Sequence, residues 1–172
     1  AETCVAPSPS MTASEHPFEV DVQTAHELFQ QNPGKVRIID VGDAFDAAEI
    51  GFYDDGCAEA FEVKLVEDLA YLACSNGLHI VDVSDPAAPV RVGYAEAENL
   101  HDVRTSLEVR GDRAWYGSPA GIIELDISDP ASPLELAVTG TGFYGPINLR
   151  AIDDNRLLGM MGITGIHVFE GT

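Results

Sequence analysis

His101 and Asp102 are the residues whose types and spacing best suit chemistry. A carboxylate is a hard oxygen ligand of the kind Ca²⁺ takes, and a neutral imidazole beside it adds a ligand for a transition metal. When the chain is aligned on its own repeats, described below, Glu62 and Asn148 hold the place of Asp102 in the neighbouring copies. The expected metal set is therefore His101, Asp102, Glu62 and Asn148, with Ca²⁺ or another divalent cation as its occupant. The plainer alternative is a polar ring that only hydrates the same place. His79 and His167 share one repeat position that Ile123 fills in a third copy, and a place that accepts histidine or isoleucine points to packing. His16 and His26 have no partner suggested by spacing.

Catalytic patterns are absent from the sequence. It has no Gly-x-Ser-x-Gly elbow, no Gly-rich phosphate loop and no His-Glu-x-x-His, so no catalytic residue and no cofactor is expected. Asp54-Asp55 and Asp153-Asp154 are paired acids, but their flanks read as turns, where adjacent acids are solvated turn-formers. The three cysteines, Cys4, Cys57 and Cys74, show neither a Cys-x-x-Cys pair nor zinc-ligand spacing with histidine.

Bulk charge narrows the partners. Twenty-nine acidic residues oppose nine basic ones, a formal net charge of −20. Such a chain repels phosphate backbones and anionic membrane surfaces, which leaves cationic proteins, divalent cations or simple solubility. No run approaches the roughly 18 apolar residues of a membrane span. Ala1, a small residue in place of Met, is read as the product of signal-peptide removal, so the expected location is periplasmic or extracellular.

Those side chains must be positioned by a repeat. AYLACSNGLHIVDVSDPAAP, residues 70–89, aligns without gaps on AWYGSPAGIIELDISDPASP, residues 114–133, at an offset of 44. RLLGMMGITGIHVFE, residues 156–170, is a third copy with one insertion, and VRIIDV, residues 36–41, echoes HIVDV at an offset of 42. Each full copy reads as four short strands: 60–67, 69–74, 78–83 and 90–95 in one, then 102–109, 113–117, 122–127 and 134–139 in the next. β-Branched and aromatic residues build them, with Gly, Asn and Asp-Pro breakers between. In Ser-Asp-Pro-x-x-Pro, Asp85 and Asp129 are expected to bond their own downstream backbone while the prolines fix φ, which makes a stiff connector. A period of 40–50 residues with four strands per unit is the pattern of propeller blades.

These runs resemble the LVIVD repeat, a bacterial and archaeal β-propeller repeat with an aromatic-rich strand followed by Gly-Leu-x-Ile-x-Asp-x-Ser-x-Pro. LHDVR, residues 100–104, is similar to the His-Asp-Val that opens many such repeats. The resemblance spans residues 57–172 and implies an exported protein without an assigned activity. Upstream, residues 20–41 are similar to the start of a rhodanese domain: a strand, a helix capped by Thr24, a Pro-Gly stop and a second strand. Gly42 stands where that family has arginine and no catalytic cysteine loop follows, so the resemblance implies no sulfur-transfer chemistry.

The expected fold is all-β, a small or incomplete propeller of about 3.5–4 blades with one short N-terminal helix. Residues 1–34 form an extension, and blades occupy 35–56 in part, 57–97, 100–142 and 147–172 in part. An unclosed stack leaves apolar faces and a strand edge that aggregate unless covered. Phe18–Val22 closing the ring, a second copy and another protein are the three ways to cover them. The connector entering a blade and the turn between its second and third strands share one face, which favours a Cys57–Cys74 disulfide over Cys4–Cys57. The expected function is an exported, non-catalytic binding or scaffold module within a larger assembly. The alternative is a metal-binding or enzymatic subunit working at the channel mouth around His101 and Asp102.

Overall fold

The computed structural model describes residues 36–40, 48–57, 59–97, 106–118, 120–140, 148–160 and 165–170. The expected N-terminal helix, Phe18–Val22, Cys4, His101 and Asp102 lie outside the described residues. Within them the chain is all-β, with thirteen strands in four antiparallel sheets. The first sheet pairs β1 (Val36–Asp40) with β2 (Ala48–Tyr53). The second is β3 (Ala60–Val66), β4 (Leu69–Cys74), β5 (Gly77–Asp82) and β6 (Val90–Glu96), in chain order. The third repeats it with β7 (Leu107–Arg110), β8 (Arg113–Ser118), β9 (Gly121–Asp126) and β10 (Leu134–Thr139). The fourth comprises β11 (Asn148–Ala151), β12 (Arg156–Met160) and β13 (Ile166–Glu170).

Burial explains why the strands read as apolar on both faces. In β4 and β8 five consecutive residues are buried, because each middle strand has a sheet on either side. One core packs Tyr71, Leu78 and Ile80 of the second sheet against Ala114, Tyr116, Ile123 and Leu125 of the third. A second packs Tyr53 and Val36 of the first sheet against Leu72, Cys74 and Val81. A third packs Trp115 and Ile122 against Leu149, Leu157 and Phe169 of the fourth sheet. β7 lies against both β3 and β11, so the leading strands of three successive sheets meet along one line.

The Ser-Asp-Pro connectors hold themselves as expected. Asp85 Oδ1 accepts from Ala87 N and Asp129 Oδ1 from Ala131 N, both at 3.1 Å. Asp82 and Asp126 accept in the same way from the backbone of Ser84 and Ser128. Hydrogen bonds from the Ser84 and Ser128 side chains, and then from their backbone, hold both carboxyls below the usual range. The stiffened turn has a second task. The Pro86 carbonyl lies where a Cβ on Gly51 would sit, 1.9 Å away, and the Pro130 carbonyl would meet a Cβ on Gly93 at 1.8 Å. Each connector therefore rests on a glycine in the last strand of the preceding sheet. A bulge next to that place recurs in β2, β6 and β10, where the registers with β1, β5 and β9 shift.

Candidate functional site

The leading strands carry a cluster of charged, partly exposed residues. Cross-strand pairing sets Lys64 opposite Tyr71, Glu108 opposite Trp115 and Arg150 opposite Leu158, so these three occupy one repeat position in successive sheets. Their signs alternate. Lys64 Nζ stands 3.5 Å from Glu108 Oε2, and Arg150 Nη1 stands 3.7 Å from the same oxygen. Glu62 closes the circuit, with Oε1 3.2 Å from Lys64 Nζ and 4.0 Å from Arg150 Nη1. Both glutamates also tie sheet to sheet through the backbone: Leu107 N donates to Glu62 at 2.8 Å, and Ala151 N donates to Glu108 at 3.0 Å.

Of the four residues expected to hold a cation, Glu62 and Asn148 fall among the described residues. Glu62 faces two cationic side chains and a backbone N–H. Asn148 begins β11, opposite Met160. Pairing places Ser106, rather than Asp102, level with Glu62 and Asn148, since Ser106 O accepts from Gly117 N just ahead of β7. Among the described residues no three His, Cys, Asp or Glu side chains are grouped to hold a metal ion.

His79 and the cysteines form a clamp on the segment that leaves β2. Cys57 and Cys74 are joined in a disulfide. Asn76 Nδ2 donates to the Gly56 carbonyl at 2.9 Å, and this orients the amide with its Oδ1 3.0 Å from His79 Nε2. Nε2 therefore carries the proton, and Nδ1 accepts from the Tyr53 hydroxyl at 2.8 Å. Arg91 serves the Asp55 carbonyl at 3.2 Å and pairs with its carboxylate at 3.3 Å. Tyr53 and Tyr94 meet the imidazole edge-on. His79 is completely buried, and burial, reinforced by the Arg91 charge and opposed by Asp55, lowers its pKa from 6.5 to about 4. His79 is thus a neutral packing residue with two hydrogen bonds. Its repeat counterpart His167 stacks on Phe169 on an exposed strand.

The most unusual feature is an unused face. Each of the three cores joins a forward face, turned toward the next sheet, to the backward face of that sheet. Register places Leu158 level with Tyr71 and Trp115, and Ile166 level with Leu78 and Ile122. Leu78 and Ile122 are 0% and 3% exposed, whereas Ile166 is 70% exposed, and Leu158, Met160 and Val168 beside it are also open. At the other end, Ile39 is level with Val81 and Leu125. Those two are 1% exposed and Ile39 is 37%, with Phe52 open beside it. The junction of the third and fourth sheets is also looser, because Gly159 stands opposite Leu149 where Tyr116 stands opposite Leu107. A small notch lined by Trp115, Glu124, Leu157 and Phe169 remains there, and Trp115 Nε1 is buried without a hydrogen-bond partner.

The exposed faces were implied by counting repeats. Lys64 and Glu108 are level at the 44-residue offset of the repeat, whereas the longer turn before β12 shifts Arg150 out of that offset.

Comparison with known proteins agrees with the geometry. Residues 58–95 and 105–139 match the LVIVD repeat. The likeness of residues 20–41 to a rhodanese start is not supported. No curated protein matches the chain. Among solved structures, the crystal structure of the computationally designed Ika4 protein is similar in fold. Its TM-score is 0.61 at 12% identity, and the match covers 81% of each chain. The second and third sheets thus match two LVIVD repeats, and the described residues form a β-propeller-like row of four antiparallel sheets.

Proposed function

We propose that this protein is an exported, non-catalytic β-propeller module that binds protein through its open blade faces and serves as a subunit of a larger extracytoplasmic assembly. The observation that carries the reading is the forward face of the fourth sheet. Leu158, Met160, Ile166 and Val168 occupy repeat positions that are buried in the two preceding blades and stand in solvent here. A contiguous apolar face of this kind marks an interaction surface. The three-stranded fourth sheet adds a strand edge, β13, with no partner among the described residues, and such an edge accepts an extended segment of another chain. The Cys57–Cys74 disulfide supports an oxidising compartment. The charge of −20 disfavours nucleic acid.

Covalent footprinting with a photogenerated carbene tests this. In dilute, purified protein the four forward-face residues are expected to label as heavily as exposed loop residues. Protection of all four in the dilute monomer would mean that the chain covers its own face, and the reading would fall.

A further inference from the structure

Resting on that reading, we propose that the occupant of the open forward face is a second copy of this chain, docked head to tail. The forward face of the fourth sheet (Leu158, Met160, Ile166, Val168) meets the backward face of the first sheet (Ile39, Phe52) of the other copy.

The argument starts from the three interfaces the chain already makes. All three run in one sense, forward face to backward face, and none joins two like faces. In the best-packed of them, Tyr71, Leu78 and Ile80 receive Ala114, Tyr116, Ile123 and Leu125. A forward face of this repeat is therefore complementary in shape to a backward face of the same repeat. The described structure leaves one of each exposed, at opposite ends of the stack; the forward one is apolar, and the backward one sets Ile39 and Phe52 beside Glu49. Leu158, Met160, Ile166 and Val168 are exposed at one end, and Ile39 and Phe52 at the other. The two do not meet within one copy, since burial of Ile39 against the fourth sheet would remove the exposure that it shows. A second copy presents the missing surface of each kind at once. Such a contact is heterologous, and it closes into a two-copy ring when the rotation suits, or continues as a longer series when it does not. Each copy brings a formal charge of −20, so salt, by screening the repulsion, is expected to tighten the association.

The test is absolute mass by light scattering across a concentration series, at low salt and at about 1 M, where the screening length falls to about 3 Å. The expected species at high salt has twice the chain mass of 18.4 kDa, or a higher multiple. Ile166→Lys spoils only the forward face and Ile39→Lys only the backward one. Lysine lowers the negative charge, so loss of association cannot be put down to added repulsion. Both sites are exposed, and unchanged circular dichroism and melting confirm folding. Each variant alone is expected to run as a monomer. An equimolar mixture is expected to recover a one-to-one dimer, because one copy still offers an intact forward face and the other an intact backward face. A dimer that survives Ile39→Lys while Ile166→Lys abolishes it would be a contact between like faces and would overturn the proposal. A wild-type monomer whose forward face labels freely with carbene would remove the second copy as occupant and leave the open-face reading standing. A wild-type monomer whose forward face is protected would overturn both.

Discussion

Replacing His79 with isoleucine, the residue that Ile123 supplies at the same place in the next blade, should change how stability responds to acid. His79 is completely buried, with Nε2 donating to Asn76 and Nδ1 accepting from Tyr53. Its pKa falls from 6.5 to about 4 in the folded protein. Between those values the unfolded chain binds a proton that the folded one refuses, so stability is present above pH 6.5 and lost as pH falls toward 4. The interval corresponds to about 3 kcal/mol. Protonation would force the Tyr53 hydroxyl to turn from Nδ1 to the Asp55 carbonyl, which lies 2.8 Å away, and this alternative bond softens the loss. At pH 7 the variant should be less stable than wild type by about 1–2 kcal/mol, the typical cost of leaving the partner groups unpaired. Toward pH 4 the order should reverse, because isoleucine has nothing to protonate. Urea unfolding at a series of pH values measures both curves, with Trp115, the single tryptophan, as the fluorescence reporter. Taking the difference between the two proteins cancels the carboxylates they share. A difference that stays constant from pH 7 to pH 4 would refute the reasoning.

Two further outcomes follow from the packing. Gly93→Ala places a Cβ 1.8 Å from the Pro130 carbonyl, so sheet and connector must separate; a loss of about 1–3 kcal/mol in urea unfolding is expected. The change Ala137→Gly, at the equivalent place in β10, should cost only about 0.5–1 kcal/mol, the ordinary glycine effect. Cys57→Ser with Cys74→Ser removes a cross-link between residues 17 apart and should cost roughly 3 kcal/mol. Calorimetry should then show the melting temperature lower by roughly 10 °C, at about 2–4 °C per kcal/mol for a chain of this size. An unchanged melting temperature would mean that Asn76, His79 and Arg91 hold the segment without the disulfide.

The all-β repeat was legible because two signals coincide at a fixed spacing: apolar strands and the Ser-Asp-Pro turns at 84–86 and 128–130. The turn mechanism followed from the chemistry of aspartate beside its own backbone, and Asp85 and Asp129 bond as that chemistry dictates. The Cys57–Cys74 pairing followed from strand order alone. The leading strands were harder to read. They carry no turn motif, and Asp102 comes beside Glu62 only at an offset of 40, whereas the 44-residue offset of the other strands, like strand pairing, sets Ser106 there. Within the ion-pair circuit of Glu62, Lys64, Glu108 and Arg150, only Lys64 and Glu108 come level at the repeat's offset, and Arg150 joins them through the longer turn before β12. Long-range electrostatic partners have no local pattern for a sequence to display.

The seating of each Ser-Asp-Pro turn on a glycine of the sheet before it bears on how such a chain can grow. A unit that carries a seat on its last strand and a stud on its connector contains both halves of its own joint. Duplication of one such stretch of coding sequence yields a copy that already fits its parent, with no second mutation needed to make the junction. Gly51 and Gly93 keep that seat open, whereas Ala137, level with Gly93, fills it with a methyl group. A connector of the same kind seated at Ala137 would have to stand off by the width of that methyl group. A single methyl, gained or lost by point mutation, can thus decide where in a lineage the row extends in register and where it changes pitch.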